Sequence, residues 1–68
     1  MNNSRGSNCY IVRVIEKITD EETFLKEKKV VNREEEALKI YDGFLKTYPD
    51  LKVECFDYKA GEMVIQNY

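Results

Sequence analysis

The first part of the chain with a clear hydrophobic pattern is the stretch 9–18, CYIVRVIEKI. β-Branched and aromatic residues dominate it, as is typical of strands. Apolar side chains occur at both parities of the stretch: Tyr10, Val12, Val14 and Ile18 at one, and Ile11 and Ile15 at the other. Because successive side chains of a strand point to opposite faces, this pattern predicts a strand with apolar groups on both faces.

A second strand is predicted over residues 23–31, after a turn at residues 19–21. Its middle part, 26–29, carries a glutamate and three lysines. Charged side chains, lysine above all, are typical of edge strands because they oppose pairing with other chains. We therefore expect the first two strands to form a hairpin, with the second strand at the edge of the sheet.

The helix has the strongest local signals. Asn32 is expected to cap its start, and Glu35, three residues later, completes a capping-box pattern. The three glutamates at 34–36 place negative charge at the positive end of the helix dipole. Apolar residues recur at spacings of three and four and predict the buried face: Ala37, Leu38, Tyr41, Phe44, Leu45 and Tyr48. Pro49 should end the helix, because the residue before a proline is biased away from helical conformations.

The last third of the chain alternates again and predicts two more strands. In the stretch 51–59 the residues sort into two faces: Leu51, Val53 and Cys55 on one, and Lys52, Glu54, Phe56 and Tyr58 on the other. Ala60 and Gly61 form the next turn, and residues 63–67 form a short last strand. We therefore predict an α+β fold in the order β-β-α-β-β, with a four-stranded antiparallel sheet and one helix packed on one face.

The length of the chain bounds its domain organisation. With 68 residues it has room for one hydrophobic core. Residues 1–8 are polar and precede no apolar signal core, so we expect a disordered N-terminal tail over 1–8 and a single ββαββ domain over 9–68.

A single helix covers only one face of such a sheet, which leaves the other face bare. If Val12, Val14 and Val53 face the helix, four apolar or aromatic residues are expected on the bare side: Ile11, Ile15, Phe56 and Tyr58. A contiguous patch of this kind usually marks a protein interface. The alternative is that these residues are scattered, or are covered by the tail and by lysine stems.

Charge and cysteine content narrow the function classes. The chain has 13 acidic and 11 basic residues and a net charge of −2, so neither a basic nucleic-acid binder nor an acidic nucleic-acid mimic is indicated. It has no apolar run long enough to span a membrane. Two cysteines are too few for a secreted disulfide scaffold, so we expect a cytoplasmic protein in which Cys9 and Cys55 stay unpaired.

Catalytic and metal-binding signals are weak. Histidine is absent, which removes the commonest general base near neutral pH. Two cysteines without histidine do not make a zinc site. The acidic clusters at 20–22 and 34–36 fall in a turn and at a helix start, where the carboxylates are solvated, so capping and solubility explain them better than acid–base catalysis does. The three glycines are isolated and form no phosphate-binding loop. We expect no enzyme activity, no cofactor and no metal.

The abundance of Lys, Glu, Asn, Ile and Tyr in so short a chain resembles, in composition only, the small proteins of low-GC bacteria and their phages. Such proteins are often inhibitors of larger host or defence proteins. We therefore expect a homodimeric interaction module that occludes a larger partner protein. The alternative is a small-ligand or nucleotide binder with a pocket between subunits. In that case the stacking residues would be aromatic: Tyr10 and Tyr41, joined by Phe56 or Tyr58.

Overall fold

The computed structural model describes residues 8–68, so the predicted tail lies outside it except for Asn8. The described chain forms five elements: β1 (Tyr10–Lys17), β2 (Thr23–Val31), α1 (Glu34–Thr47), β3 (Lys52–Asp57) and β4 (Glu62–Gln66). They build one four-stranded antiparallel sheet and one helix. The predicted fold class and element order are confirmed.

The strand order of the sheet is β2-β1-β3-β4. Each neighbouring pair is antiparallel. The two central strands therefore come from different hairpins, and β2 lies at one edge, as its lysines predicted. The other edge is β4, the shortest strand.

The core lies between α1 and one face of the sheet. Alternate residues of the central strands point into it, and α1 packs against β1, β2 and β3. The buried apolar residues are Tyr10, Val12, Val14, Ala37, Tyr41, Phe44, Val53 and Cys55. No helix in residues 8–68 is long and apolar enough to cross a membrane.

The start of α1 differs from the prediction. Arg33, and not Asn32, occupies the N-cap position, with an extended backbone (φ −129°, ψ 135°) and no side-chain capping hydrogen bond. The chain stays extended one residue longer than the capping-box pattern suggested. Glu35 is instead paired with the guanidinium of Arg33, whose Nη2 lies 3.2 Å from Glu35 Oε1.

The buried face of α1 is also rotated from the predicted one. Ala37, Tyr41 and Phe44 are buried, whereas Leu38 is 36% exposed. Leu38 follows Ala37 by one residue, a rotation of about 100° around the helix axis, so the two side chains cannot share the centre of the buried face. Ile40, which the prediction omitted, packs against the core instead.

Two bulges interrupt the ladders. One extra residue, Lys26, is inserted in β2 opposite the step from Val14 to Ile15, and another, Val64, in β4 opposite the step from Cys55 to Phe56. Bulges of this kind locally increase strand twist. Both lie in the edge strands, so the alternation of β1 and β3 continues without a break.

Candidate interaction face

The face of the sheet opposite α1, called the open face below, is organised in rows of directly paired residues. Its first row crosses all four strands and contains only apolar side chains: Val30, Ile11, Phe56 and Met63. The outer members, Val30 and Met63, are 54% and 37% exposed, and the two central members are half-buried. We call this set the apolar row.

The second row lies two residues away on β1, β2 and β3 and three residues away on β4, where Val64 is the extra residue. It is polar and is called the charged row. It runs from β2 to β4 through Lys28, Arg13, Glu54 and Gln66. A third, mixed row follows with Leu25, Ile15 and Lys52. The open face is therefore apolar at one end, cationic in the middle and mixed at the other end.

Glu54 is the most unusual residue of the open face. It is only 5% exposed although it lies on the side that the helix leaves bare. Arg13 Nε donates a hydrogen bond to Glu54 Oε1 at 2.6 Å, and Lys52 Nζ lies 3.4 Å from Glu54 Oε2. Each carboxylate oxygen thus has its own cation, which offsets part of the cost of burying the charge.

The charge of the open face is opposite to that of the whole chain. Its second and third rows contain three cations, Arg13, Lys28 and Lys52, and one carboxylate, Glu54. The chain as a whole has a net charge of −2. The acidic excess lies elsewhere, including the three exposed glutamates in the first turn of α1.

A groove of about 500 Å³ opens at the mixed end of the open face. Its lining residues come from β1, β2, the start of β3 with the segment before it, and the segment that follows β4: Ile15, Lys17, Thr23, Asp50, Leu51, Lys52 and Tyr68. Asn67 holds this corner together, because its amide accepts a hydrogen bond from Val53 N and donates one to the carbonyl of Leu51.

Three of the four residues expected on the bare side lie on the open face. Ile11 and Phe56 are direct partners in the apolar row, and Ile15 belongs to the mixed row. Tyr58 lies beyond the end of β3, where it is 65% exposed and its backbone N–H donates to the carbonyl of Cys9. The structure thus brings Ile11 and Phe56 together and leaves Tyr58 at the margin.

The predicted ligand-stacking tyrosines lie elsewhere. Tyr10 and Tyr41 are each 6% exposed and belong to the core. Burial is the main cause that raises the pKa of both phenols above their usual value of 10.0. In this conformation neither ring is available for stacking on a ligand.

The two cysteines are unpaired thiols. Cys55 is buried opposite Val12 in the core, whereas Cys9 lies just before β1 and is half-buried. Burial, with a smaller contribution from the charges of Glu34 and Asp57, raises the pKa of the Cys55 thiol. Within residues 8–68, no group of three or more Cys, Asp or Glu side chains is placed to hold a metal ion.

The sequence did not reveal the outer members of the apolar row or the pairing around Glu54. Val30 and Met63 join Ile11 and Phe56 only because β1 and β3 are neighbours, and the strand order was not predicted. Alternation did place Lys52 and Glu54 on the same side as Phe56. It gave no sign that Arg13 would lie directly opposite Glu54.

Comparison of the chain with protein-family models, with curated proteins and with solved structures finds no match.

Proposed function

We propose that this chain is a small protein–protein interaction module that binds through its open face and inhibits a larger protein by occluding part of its surface. The observation that carries the proposal is the apolar row, which crosses all four strands on a face that no described element covers. Contiguous exposed apolar surface of this kind typically marks an interaction site. The half-buried ring of Phe56, next to Ile11, is the natural anchor, since aromatic residues near the centre of an interface often dominate its binding energy.

The proposal assigns no catalytic role. The sequence has no histidine, and the buried Cys55 thiol has a raised pKa, which lowers its reactivity as a nucleophile. The buried carboxylate, Glu54, is occupied by Arg13 and Lys52. These features support a binding protein better than an enzyme.

Matched charge insertions on the two faces of the sheet test the proposal. Phe56→Glu places a carboxylate in the apolar row, and Ile65→Glu makes a similar change at an exposed position opposite Cys55, on the helix side. The wild-type chain is used to capture a partner from its native host, and the partner is purified and titrated against all three proteins. We expect Phe56→Glu to weaken binding strongly and Ile65→Glu to leave it intact.

Circular dichroism shows whether both variants remain folded. Equal binding by a folded Phe56→Glu protein would contradict the use of the open face. Loss of binding only in Ile65→Glu would transfer the interface to the helix side.

The homodimer expected from the sequence is a separate prediction. If two copies pair through the open face, sedimentation velocity of the wild type should show a dimer between micromolar and submillimolar concentration, and Phe56→Glu should shift it to monomer. A wild type that remains monomeric over this range would contradict self-association. The open face would then be the binding site for a different protein.

Small-ligand binding is the second candidate, and the groove at the mixed end of the open face favours it. A volume of about 500 Å³ suits a small molecule, and the two cations of the lining, Lys17 and Lys52, outnumber its one carboxylate, Asp50, which favours an anionic ligand. A ligand at a hundredfold excess over its Kd should add about 2.7 kcal/mol to the free energy of unfolding. A nucleotide and metabolite panel that leaves the melting temperature unchanged would contradict this alternative.

A further inference from the structure

The open face combines apolar and cationic surface at a fixed spacing. The apolar row and the charged row are two residues apart along β1, β2 and β3, which corresponds to about 7 Å. A partner that packs apolar atoms on Ile11 and Phe56 therefore has its neighbouring groups over Arg13 and Lys28. Carboxylates are the groups that complement those positions.

The cations of the charged row differ in how far they are already neutralised. Glu54 pairs with Arg13 and Lys52, whereas Lys28 forms no ion pair within residues 8–68. Lys28 lies directly opposite Arg13, so two positive charges stand side by side with one carboxylate near them. Like charges directly opposite each other destabilise a sheet, and an incoming carboxylate would relieve that repulsion.

The groove repeats the same chemistry at the other end of the face. Ile15, Leu51 and Tyr68 supply apolar surface, and the lysines at 17 and 52 supply positive charge. One carboxylate, at residue 50, is also part of the lining. An apolar side chain from a partner would fit here, with acidic neighbours facing the lysines.

A second copy of this chain fits the open face poorly. Face-to-face pairing would bring the cationic excess of one copy against that of the other, and like-charge contact opposes association. A nucleic acid is anionic but matches the apolar row poorly. Three of the four residues of the apolar row are not aromatic and offer no ring for base stacking: Val30, Ile11 and Met63.

We infer that the open face binds an acidic protein surface, in which apolar side chains pack on the apolar row and carboxylates about 7 Å away pair with Lys28 and Arg13. The inference rests on the proposed function and specifies the chemistry of the partner. Complementary charge across the contact also speeds association, and salt weakens that attraction.

A random peptide display library selected on the folded wild-type protein tests the composition of the preferred partner directly. The expected winners combine Asp or Glu with large apolar residues. Two matched charge reversals then locate the contact: Lys28→Glu on the open face, and Lys39→Glu at an exposed position of α1. A winning peptide should bind Lys28→Glu at least about tenfold more weakly, bind Lys39→Glu as well as the wild type, and lose affinity as salt rises.

The outcomes distinguish a failure of the acidic-partner inference from a failure of the proposed function. Selected peptides that are apolar without acidic residues, or are rich in Lys and Arg, would overturn the acidic partner while supporting the open face as a protein interface, provided that Phe56→Glu abolishes their binding. No enrichment over an empty support would overturn the proposed function as well. Tighter binding to a single-stranded oligonucleotide than to any selected peptide would identify a nucleic acid as the partner. Self-association of the wild type that blocks selection would identify a second copy of the chain as the partner.

Discussion

The hydroxyl of Tyr48, the C-cap residue of α1, donates a hydrogen bond to the carboxylate of Glu27 in the edge strand β2. The backbone N–H of Tyr48 also donates to the carbonyl of Phe44 at 2.7 Å, and the two rings meet edge to face with centroids 6.1 Å apart. The last turn of the helix is thereby tied to a strand that otherwise consists mainly of exposed residues.

This contact makes stability sensitive to alkaline pH. The hydrogen bond to Glu27 is the main cause that raises the pKa of Tyr48 above 10.0, followed by burial and by the charge of Glu27. The folded state therefore holds the phenolic proton more tightly than the unfolded chain does, so this contribution is complete below pH 10 and is lost as pH rises above it. Tyr48→Phe should destabilise the protein at neutral pH and reduce the alkaline loss of stability, as measured by urea unfolding from pH 7 to pH 11.

Tyr58→Phe is the matched control, because Tyr58 is exposed and lies outside the core. It should leave the pH profile unchanged. Since the pKa values of Tyr10 and Tyr41 are also raised by burial, part of the alkaline decline should remain in Tyr48→Phe. Identical alkaline slopes for the wild type and Tyr48→Phe would show that the hydrogen bond does not contribute.

The position of α1 on the sheet predicts which apolar residues of the helix matter most. Phe44→Ala should cost about 3–5 kcal/mol, because the ring is buried and its removal leaves a cavity. Leu38→Ala should cost less than about 2 kcal/mol, since more than a third of that side chain is already in water. Chemical denaturation of both variants checks the order, and a costlier Leu38→Ala would mean that the helix is rotated about its axis.

The uncapped start of α1 offers a stabilising substitution. Arg33 has the extended backbone of an N-cap but makes no capping hydrogen bond, and its positive charge lies at the positive end of the helix dipole. Arg33→Ser should stabilise the protein by about 1 kcal/mol, more than the exposed ion pair with Glu35 contributes. Asn32→Ala, one residue outside the cap, should have little effect on stability. A loss of about 1 kcal/mol in the thermal unfolding of Asn32→Ala would instead restore Asn32 as the cap.

The two thiols should differ in reactivity towards a thiol reagent at neutral pH. Cys55 is fully buried and its pKa is raised by burial, so its modification should require unfolding, whereas Cys9 should react in the native protein. Mass spectrometry over time should show one fast and one slow addition, and Cys9→Ser should lose the fast one. In denaturant without reductant both thiols of the wild type should react, and a failure to do so would indicate a disulfide.

The elements could be predicted from the sequence because each has a strong local pattern. The bounds predicted for β2 coincide with Thr23–Val31, and Gly61, expected in a turn, has a positive φ of 69°. The errors concern choices between residues that lie one or two positions apart in the chain. Asn32 was predicted as the N-cap, which Arg33, one residue later, occupies. Leu38 was predicted on the buried face of α1 and Ile40 was not, and the two lie on opposite borders of that face.

The candidate site was less predictable because it depends on contacts between distant parts of the chain. Alternation along β1 and β3 gave the right parity for Ile11 and Phe56, but their pairing needs the antiparallel register of two strands about forty residues apart. The burial of Glu54 depends on the same pairing, since Arg13 comes from the other strand. No local pattern carries that information.

The placement of β1 beside β3 has a consequence for how the chain folds. Each hairpin has one strand at an edge of the sheet and the other in the middle. The core therefore forms only when the two halves of the chain pack together. Neither half of the chain buries its central strand alone, which favours a single all-or-none unfolding transition. The folding nucleus should contain residues from both halves of the sequence. The same arrangement makes the loop between α1 and β3 a natural cut point: two fragments separated there should each be unstructured alone and should regain the native sheet only as a pair.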